Sequence, residues 1–238
     1  MRALSELRVK IFADGADREQ ILKSRGNPLI RGFTTNPTLM RAAGVKDYEM
    51  FAHEVLEVVT DRPISFEVFA DEFGEMERQA HKIAAWAENV YVKIPVTNTR
   101  RQSSMELVSR LAHSGVKVNV TAVLTMDQVW DAAVALGGGA PAVISVFAGR
   151  IADTGRDPVP MMAAAVEMVS AYSNTELIWA SPRELLNIFQ ADDIGCHIIT
   201  VTEGILSKLK TVGKDLHDYS LETVQMFHTD AARSGYQL

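Results

Sequence analysis

Short apolar runs alternate with amphipathic segments along the whole chain. In the amphipathic segments apolar residues recur on one helical face, as with Met76, Ala80 and Ile83, or with Val129 and Leu136. The apolar runs are rich in Val and Ile and are bounded by Gly, Pro, Asp or Asn, which is typical of buried strands. We predict eight strands: Val9–Asp14, Gly32–Asn36, Ile64–Phe69, Val90–Pro95, Val116–Val123, Ala142–Ala148, Glu176–Ala180 and Cys196–Val201.

A helical segment follows each predicted strand, and this order indicates a parallel sheet with right-handed crossovers. Eight such units in 238 residues, near the usual ~250, favour an α/β fold of the (β/α)8 TIM barrel type. An open, doubly wound sheet is the alternative, but its glycine fingerprint is missing. We expect one barrel domain over residues 1–238, with an additional C-terminal helix in a tail over about residues 214–238. The tail carries an apolar stripe that must pack on its own barrel or on a neighbouring subunit: Leu221, Val224, Phe227 and Ala231.

Composition and charge exclude several classes of protein. The net charge of −6 and the pI near 5.5 argue against a binder of nucleic acid or of anionic membranes. The single cysteine, Cys196, cannot form an internal disulfide, and no apolar stretch approaches the ~20 residues of a membrane span. We therefore predict a cytoplasmic protein. The six histidines lack metal-ligand spacing, so no metal site is predicted.

Polar side chains occupy positions where barrel strands should point inward. Because side chains alternate along a strand, Val92 and Ile94 would face the helices while Lys93 faces the interior. The same rule turns Phe69 and Phe147 inward. It also turns a set of polar residues inward near the carboxyl ends of their strands, where barrel enzymes perform their chemistry: Asp14, Asn36, Glu67, Lys93, Asn119, Thr121 and Ser145.

Each member of this polar set has a structural alternative. Asn36 before Pro37 could be a helix cap, and Asp14 before Gly15 could be a turn residue. Lys93 could reach water or pair with a carboxylate at the end of its strand. A coincidence across six strands is the poorer explanation, because unpaired buried polar groups are costly. We therefore predict one shared site.

The residue types suggest how this site divides its chemistry. Desolvation favours the neutral amine of a lysine, so Lys93 is the candidate nucleophile for a Schiff base with a ketose. Glu67 and Asp14 are candidate acid/base groups. Arg150 and Arg183 follow late strands and suit phosphate oxygens, although either could be a solvated or salt-bridged loop residue. The remaining polar residues can hold sugar hydroxyls or assist the arginines: Asn36, Asn119, Thr121, Ser145 and Ser181.

Several segments resemble the transaldolase family. Gly32-Phe-Thr-Thr-Asn-Pro-Thr-Leu39 is similar to the family signature around the second strand. Val90-Tyr-Val-Lys-Ile-Pro95 is similar to the motif of the Schiff-base lysine. Ser65–Glu67, Val118–Thr121 and Ile144–Ile151 match further family segments in the same order. The resemblance covers essentially the whole chain and lies with the short, single-domain members.

The resemblance implies a cofactor-free transferase of the pentose phosphate pathway that forms a homo-oligomer. It would pass a dihydroxyacetone unit through a Schiff base to an aldose phosphate. The donor would be a ketose phosphate of the fructose 6-phosphate or sedoheptulose 7-phosphate type. Lys93 carries over as the nucleophile, with Asp14 and Glu67 as acid/base groups. The substrate site would include Thr34, Asn36, Asn119, Thr121, Ser145, Phe147, Arg150, Ser181 and Arg183.

Two close alternatives concern the substrate and the fate of the product. Fructose-6-phosphate aldolases of the same short group release free dihydroxyacetone, and they carry glutamine and tyrosine where this chain has Glu67 and Phe147. A sulfo- or heptose-derived ketose also stays open. Arg31 stands where short relatives often have an acidic residue, and Arg100 and Arg101 add cations in the loop after Lys93. A non-catalytic sugar-phosphate binder is a third alternative, against which the complete acid/base and lysine set argues.

Overall fold

Eight parallel strands close into a barrel in sequence order in the computed structural model, which describes residues 3–237. This topology confirms the (β/α)8 barrel and excludes the open sheet. The strands differ from the predicted ones mainly by one or two residues at their ends. They are Lys10–Asp14 (β1), Ile30–Thr34 (β2), Ile64–Glu67 (β3), Val90–Pro95 (β4), Val118–Val123 (β5), Ala142–Val146 (β6), Thr175–Trp179 (β7) and Ile198–Thr202 (β8).

Helices follow every strand, and short 3₁₀ turns lie at Leu4–Glu6 and Ser207–Thr211. Two α-helices follow each of β2, β6 and β8, and one follows each other strand. The α-helices within residues 3–237 are Arg18–Arg25 (α1), Pro37–Ala42 (α2), Tyr48–Leu56 (α3), Phe73–Ala84 (α4), Met105–His113 (α5), Met126–Leu136 (α6), Ala148–Ala152 (α7), Val159–Val169 (α8), Leu186–Asp193 (α9), Glu203–Leu206 (α10) and Leu216–Ser234 (α11).

Apolar side chains fill two layers, as the alternation along the strands requires. The larger layer lies between strands and helices and includes Val9 before β1 and Ile11 and Ala13 of β1. A smaller cluster inside the barrel is formed by Phe12, Val143, Ile178, Ala180 and Ile198. Gly32 stands beside Phe12 in the sheet, and a Cβ there would lie 2.5 Å from the Phe12 ring. The interior is thus apolar in the middle, and polar groups collect at its carboxyl end.

Phe69 is the exception to the predicted alternation. It was expected to point inward, but β3 ends at Glu67, so the strand period no longer applies two residues later. Phe69 is 54% exposed, and the centre of its ring lies 4.4 Å from that of Tyr48, the first residue of α3. The prediction for Phe69 is wrong because β3 loses its strand geometry where the chain leaves the sheet.

The C-terminal helix α11 does not pack on its own barrel. None of its residues is buried. The predicted apolar stripe is exposed, with Leu221, Val224 and Phe227 between 56% and 63% accessible. Of the two packing partners considered from the sequence, packing of this stripe on its own barrel is therefore wrong. Within residues 3–237, no helix combines the length and the hydropathy that crossing a membrane demands.

Candidate active site

A cavity of about 490 Å³ lies at the carboxyl end of the barrel. Parallel strands bring their carboxyl ends to one face, so residues far apart in the sequence meet there. Eleven of the twelve predicted site residues line this cavity: Asp14, Thr34, Asn36, Glu67, Lys93, Thr121, Ser145, Phe147, Arg150, Ser181 and Arg183. The exception is Asn119.

Lys93 lines the cavity, although only 6% of the residue is exposed. Its strand neighbour in register is Glu67, whose Oε2 lies 3.2 Å from Lys93 Nζ. Lys93 Nζ also donates a hydrogen bond of 3.0 Å to the carbonyl oxygen of Thr35. These two contacts give the buried Lys93 side chain the polar partners that a buried charged group requires. The Lys93 amine and the Glu67 carboxylate thus form a close pair at the cavity.

Asp14 lies at the end of β1, between Thr34 of β2 and Thr202 of β8 in register. The Thr34 hydroxyl donates to Asp14 Oδ1 at 2.7 Å, and Thr34 and Thr200 share a hydrogen bond. Burial raises the pKa of Asp14 above its usual range, although the Thr34 hydrogen bond and the charge of Lys93 act in the opposite direction. A carboxyl group whose pKa is raised by burial holds its proton more readily than an exposed carboxyl group does.

Asn36 combines the two roles that the sequence left open. Its side chain accepts a hydrogen bond of 2.9 Å from the Leu39 amide and so caps α2, with Pro37 at the first helical position. The same residue lines the cavity. Capping fixes the orientation of the Asn36 side chain without removing it from the site.

Asn119 lies beneath the cavity instead of lining it. Its side-chain amide donates to Ser65 Oγ at 3.0 Å and accepts from Ser145 Oγ at 2.8 Å, and the residue is fully buried. It therefore fixes Ser145, which does line the cavity. Thr121 Oγ1 is buried and has no hydrogen-bond partner within the described residues. A hydroxyl of this kind beside a cavity is available to a substrate or a water molecule.

Two arginines mark the side of the cavity formed by the late strands. Arg183 donates through Nε to Asp153 Oδ1 at 2.8 Å and through Nη2 to Oδ2 of the same carboxylate. Its Nη1 donates to Ser181 Oγ at 2.9 Å. The hydrogen bonds from Arg183 hold the pKa of Asp153 below its usual range. The Arg150 guanidinium lies 5.6 Å from the centre of the Phe147 ring. Arg183 is thus salt-bridged, as the sequence alternative proposed, and still faces the cavity.

The backbone at this end is tightly constrained. Ser181 has a φ of 59°, in the left-handed region that non-glycine residues seldom occupy. Gly149, in the first turn of α7, comes so close that a Cβ atom would lie 1.5 Å from the Ser181 carbonyl oxygen. Only glycine allows this approach, which brings the α7 backbone against the loop that carries Ser181 and Arg183.

Several residues at the site were not predicted from the sequence. Thr200 and Thr202 of β8 line the cavity, and the pattern Ile-Ile-Thr-Val-Thr over 198–202 places both on one face. That alternation was a usable signal. Asp153 gave none, because its partner Arg183 is 30 residues away and lies in a different loop.

The extra cations considered from the sequence lie away from this cavity. Arg31 is near the start of β2, at the opposite end of the barrel, where it lines a surface pocket with Leu29. Arg100 forms an ion pair of 2.7 Å with Glu72. Arg100 and Arg101 are both absent from the cavity lining. None of these three arginines is part of the cavity lining, and the sequence had left their roles open. No group of three or more His, Cys, Asp or Glu residues among residues 3–237 could hold a metal ion.

Comparisons with known proteins identify the family of this chain. The family model described as Transaldolase/Fructose-6-phosphate aldolase matches residues 11–238. The chain belongs to the transaldolase/fructose-6-phosphate aldolase family. A relative named "Probable transaldolase" from Dehalococcoides mccartyi is 35% identical over 202 residues, which cover 84% of this chain and 90% of the relative. Another of the same name from Thermoanaerobacter sp. is 32% identical over 231 residues, covering 97% of this chain and 100% of the relative.

Solved structures show the same architecture at much lower identity. KGPDC from Streptococcus mutans has a TM-score of 0.56 and 11% identity, covering 85% of this chain and 90% of that chain. A 2,3-dimethylmalate lyase has a TM-score of 0.55 and 13% identity, covering 98% of this chain and 97% of that chain. These likenesses show the barrel fold alone, since unrelated chemistries share it. Membership in the transaldolase/aldolase family is what identifies the chain as an enzyme of the transaldolase/aldolase type.

Proposed function

We propose that this family member is a transaldolase that works through a Schiff base on Lys93. The observation that carries the proposal is the Lys93 amine, buried at the end of β4, 3.2 Å from the Glu67 carboxylate and open to the cavity. The donor would be a ketose phosphate and the acceptor an aldose phosphate. The enzyme would move a three-carbon dihydroxyacetone unit between them.

The reaction would begin with proton transfer from Lys93 to Glu67. The neutral amine then adds to the ketose carbonyl carbon, and Glu67 returns the proton to the oxygen that leaves as water. The protonated imine accepts, through the neighbouring α-carbon, the electron pair of the bond between the α- and β-carbons, and an enamine forms. That bond breaks as Asp14 removes the proton from the hydroxyl on the departing carbon, which leaves as an aldehyde. The enamine on Lys93 attacks the acceptor aldehyde, and water finally releases the new ketose.

The proposed substrate orientation follows the charges in the cavity. Arg150 and Arg183 would bind the phosphate, since guanidinium groups pair well with its oxygens. Thr121 and Ser145 would bind sugar hydroxyls near Lys93. The Thr121 hydroxyl has no partner within the described part of the chain and is free for this contact. The same arginines would also accept a sulfonate, so a sulfo-ketose belongs in any substrate panel.

Transfer is favoured over release by two residues that line the cavity. Aldolases of the short group carry a glutamine and a tyrosine at the positions of Glu67 and Phe147. The phenyl ring of Phe147 has no hydroxyl that could supply a proton to the bound three-carbon enamine. We therefore expect the enamine to wait for an aldehyde acceptor.

The test is a panel of ketose donors, each with and without an aldose phosphate, followed by borohydride reduction and intact mass measurement. Borohydride reduces an imine to a stable amine, so a donor alone should give a covalent adduct at Lys93, with the mass of the reduced whole ketose or of the three-carbon unit. Lys93→Ala should give no adduct and no turnover. Lys93→Arg keeps the cation beside Glu67 but cannot form an imine, so it should also be inactive.

Two controls make the result specific. Lys82→Ala removes an exposed lysine of α4 that pairs with Glu49, and this variant should trap adduct like the wild type. Full turnover in Lys93→Ala would overturn the mechanism. Steady release of dihydroxyacetone from fructose 6-phosphate without acceptor would instead identify an aldolase. If no donor yields an adduct, the protein is a sugar-phosphate binder.

We also propose that the protein is a homo-oligomer assembled through α11. The support is the exposed apolar stripe of that helix, because an isolated amphipathic helix gains little stability without a packing partner. Every copy carries the same stripe, so a second copy is the simplest occupant. A location in the cytoplasm stays a prediction, supported by the single cysteine, Cys196, which is buried and free.

A further inference from the structure

The parallel ladder between β2 and β3 ends at Ser65, two residues before the proposed catalytic glutamate, Glu67. The Phe33 amide donates to the Pro63 carbonyl at 2.9 Å, and the Thr35 amide donates to the Ser65 carbonyl at 3.2 Å. In a regular parallel pair the next bond would run from the Glu67 amide to the Thr35 carbonyl. The bond after that would run from the amide of residue 37 to the Glu67 carbonyl.

Neither of these two bonds forms. Residue 37 is a proline without an N–H group, and the chain enters α2 there. The Thr35 carbonyl is used differently, since it accepts a hydrogen bond of 3.0 Å from Lys93 Nζ. Both backbone groups of Glu67 that face β2 are therefore left without a partner in that strand. Unpaired backbone groups of this kind are costly in a protein interior.

The Tyr48 hydroxyl occupies the place of the missing strand partner. It accepts a hydrogen bond of 2.8 Å from the Glu67 amide and donates one of 3.0 Å to the Glu67 carbonyl. The ring is held by Phe66, Phe69 and Trp86, with ring centres 4.4 to 6.1 Å away. Burial raises the pKa of Tyr48, so the hydroxyl stays protonated and can serve as donor and acceptor together.

We propose that Tyr48 is a positioning residue that fixes the Glu67 backbone and leaves the Thr35 carbonyl free to bind Lys93. The inference rests on the proposed Schiff-base function of Lys93. Without the hydroxyl, the Glu67 amide would be expected to pair with the Thr35 carbonyl, its partner in a regular parallel ladder. The ladder between β2 and β3 would then gain one bond, and the Glu67 amide would compete with Lys93 for the Thr35 carbonyl. The Glu67 side chain would turn away from the Lys93 amine.

Tyr48→Phe tests this role because it removes one oxygen and keeps the ring. We expect kcat and the rate of borohydride-trapped adduct formation to fall about 10- to 100-fold, as for a small displacement of a catalytic group. The KM for the donor should stay within about threefold, because Tyr48 is not among the residues that line the cavity. A purely structural role would lower the melting temperature without this split between kcat and KM.

Trp86→Phe is the matched control. Trp86 belongs to the same aromatic cluster, and its Nε1 is buried without a hydrogen-bond partner in the described chain, so the change removes no hydrogen bond. We expect the kcat of Trp86→Phe to stay within about twofold of the wild type. This should hold even if its melting temperature falls as much as that of Tyr48→Phe. Equal loss of kcat in both variants at equal loss of stability would overturn the positioning role.

Wild-type protein separates this inference from the proposed function. If it forms no trapped adduct with any donor, the Schiff-base function fails and the inference fails with it. If it traps adduct, and Tyr48→Phe traps it equally fast with unchanged kcat, only the positioning role fails. Amide hydrogen exchange of wild-type Glu67 needs no variant. Protection of this amide is expected, and exchange at the rate of an exposed amide would contradict the contact.

Discussion

Charged side chains in the cavity wall are compensated in different ways. Lys93 lies against Glu67, and Arg183 lies against Asp153. Asp14 is held instead by the neutral hydroxyl of Thr34. Its ionised form is therefore the least compensated of these groups, which agrees with the upward direction of its pKa. A buried carboxylate with so little compensation lowers the stability of the fold, and such groups are common where activity requires them.

We predict that Asp14→Asn raises the free energy of unfolding near pH 7 by about 1 kcal/mol while abolishing turnover. The folded pKa lies above the unfolded value of 3.8, so the native state binds the proton more tightly. The stability that this binding contributes is present at low pH and is lost as the pH rises through the folded pKa.

The gain from Asp14→Asn should accordingly grow as the pH rises from about 4 to 7, as measured by urea unfolding at several pH values. Asp131→Asn, which removes an exposed carboxyl of α6, is the control and should change neither stability nor activity. A gain for Asp14→Asn that is independent of pH would contradict this account.

Loss of the Arg183 side chain should weaken the binding of phosphorylated donors only. Arg183→Ala removes a charged hydrogen-bond donor from the cavity, so we expect KM for a ketose phosphate to rise about 10- to 100-fold. Turnover of an unphosphorylated ketose should change by less than about threefold. Arg156→Ala, in the α7–α8 loop and outside the cavity lining, is the control. Equal losses with both kinds of donor would argue against a phosphate contact.

At the scale of elements, the site depends on where strands change into other structures. β2 gives way to α2 at Asn36, so a helix cap and a site residue coincide. The first turn of α7 packs against the Ser181 carbonyl at Gly149. Such junctions place side chains at the mouth of the barrel while the strands behind them stay regular. A small backbone shift at such a junction should therefore displace side chains of the site and change the catalytic rate or substrate binding.

Gly149→Ala is expected to lower the free energy of unfolding by about 1 to 3 kcal/mol, because overpacking forces the backbone apart. It should also raise KM for phosphorylated donors, since α7 and the loop of Arg183 must separate. Melting curves and donor kinetics would measure both effects. Gly74→Ala in α4, where a Cβ meets nothing within 4 Å, should be neutral or stabilising by up to about 1 kcal/mol. Unchanged stability of Gly149→Ala would contradict the close contact.

At the scale of the whole molecule, the barrel and α11 have separate roles. The barrel buries its own core, whereas no described residue of α11 is buried. Stability of the barrel should therefore depend little on the apolar face of that helix. Association between copies should depend on it strongly.

We predict that the double variant Val224→Glu with Phe227→Glu reduces the assembly to smaller species and keeps the circular dichroism of the folded barrel. Charges on a buried contact between subunits would be left without partners. Light scattering coupled to size-exclusion chromatography gives the masses. Gln225→Glu, an exposed change on the same helix, should leave the assembly intact. A monomeric wild-type protein would remove the proposal altogether.

Much of the architecture was determined by the sequence alone, for a local reason. Alternation with a period of two identifies both the strands and their inward faces, so Asp14, Glu67, Lys93, Thr121 and Ser145 could be placed together before any coordinates. The order of strand and helix then selects a barrel. The method failed at Phe69, where β3 had already ended and the period no longer held.

Only the tertiary structure decided which groups compensate one another. Tyr48 meets Glu67, 19 residues away, and Arg183 meets Asp153, 30 residues away. No periodic pattern links such pairs, because loops and helix starts set their separation. The tertiary structure also placed Asn119 beneath the cavity and put Arg31 and Arg100 outside it. Strand alternation defines the face of a residue, whereas depth and partners depend on how the strands and loops close together in space.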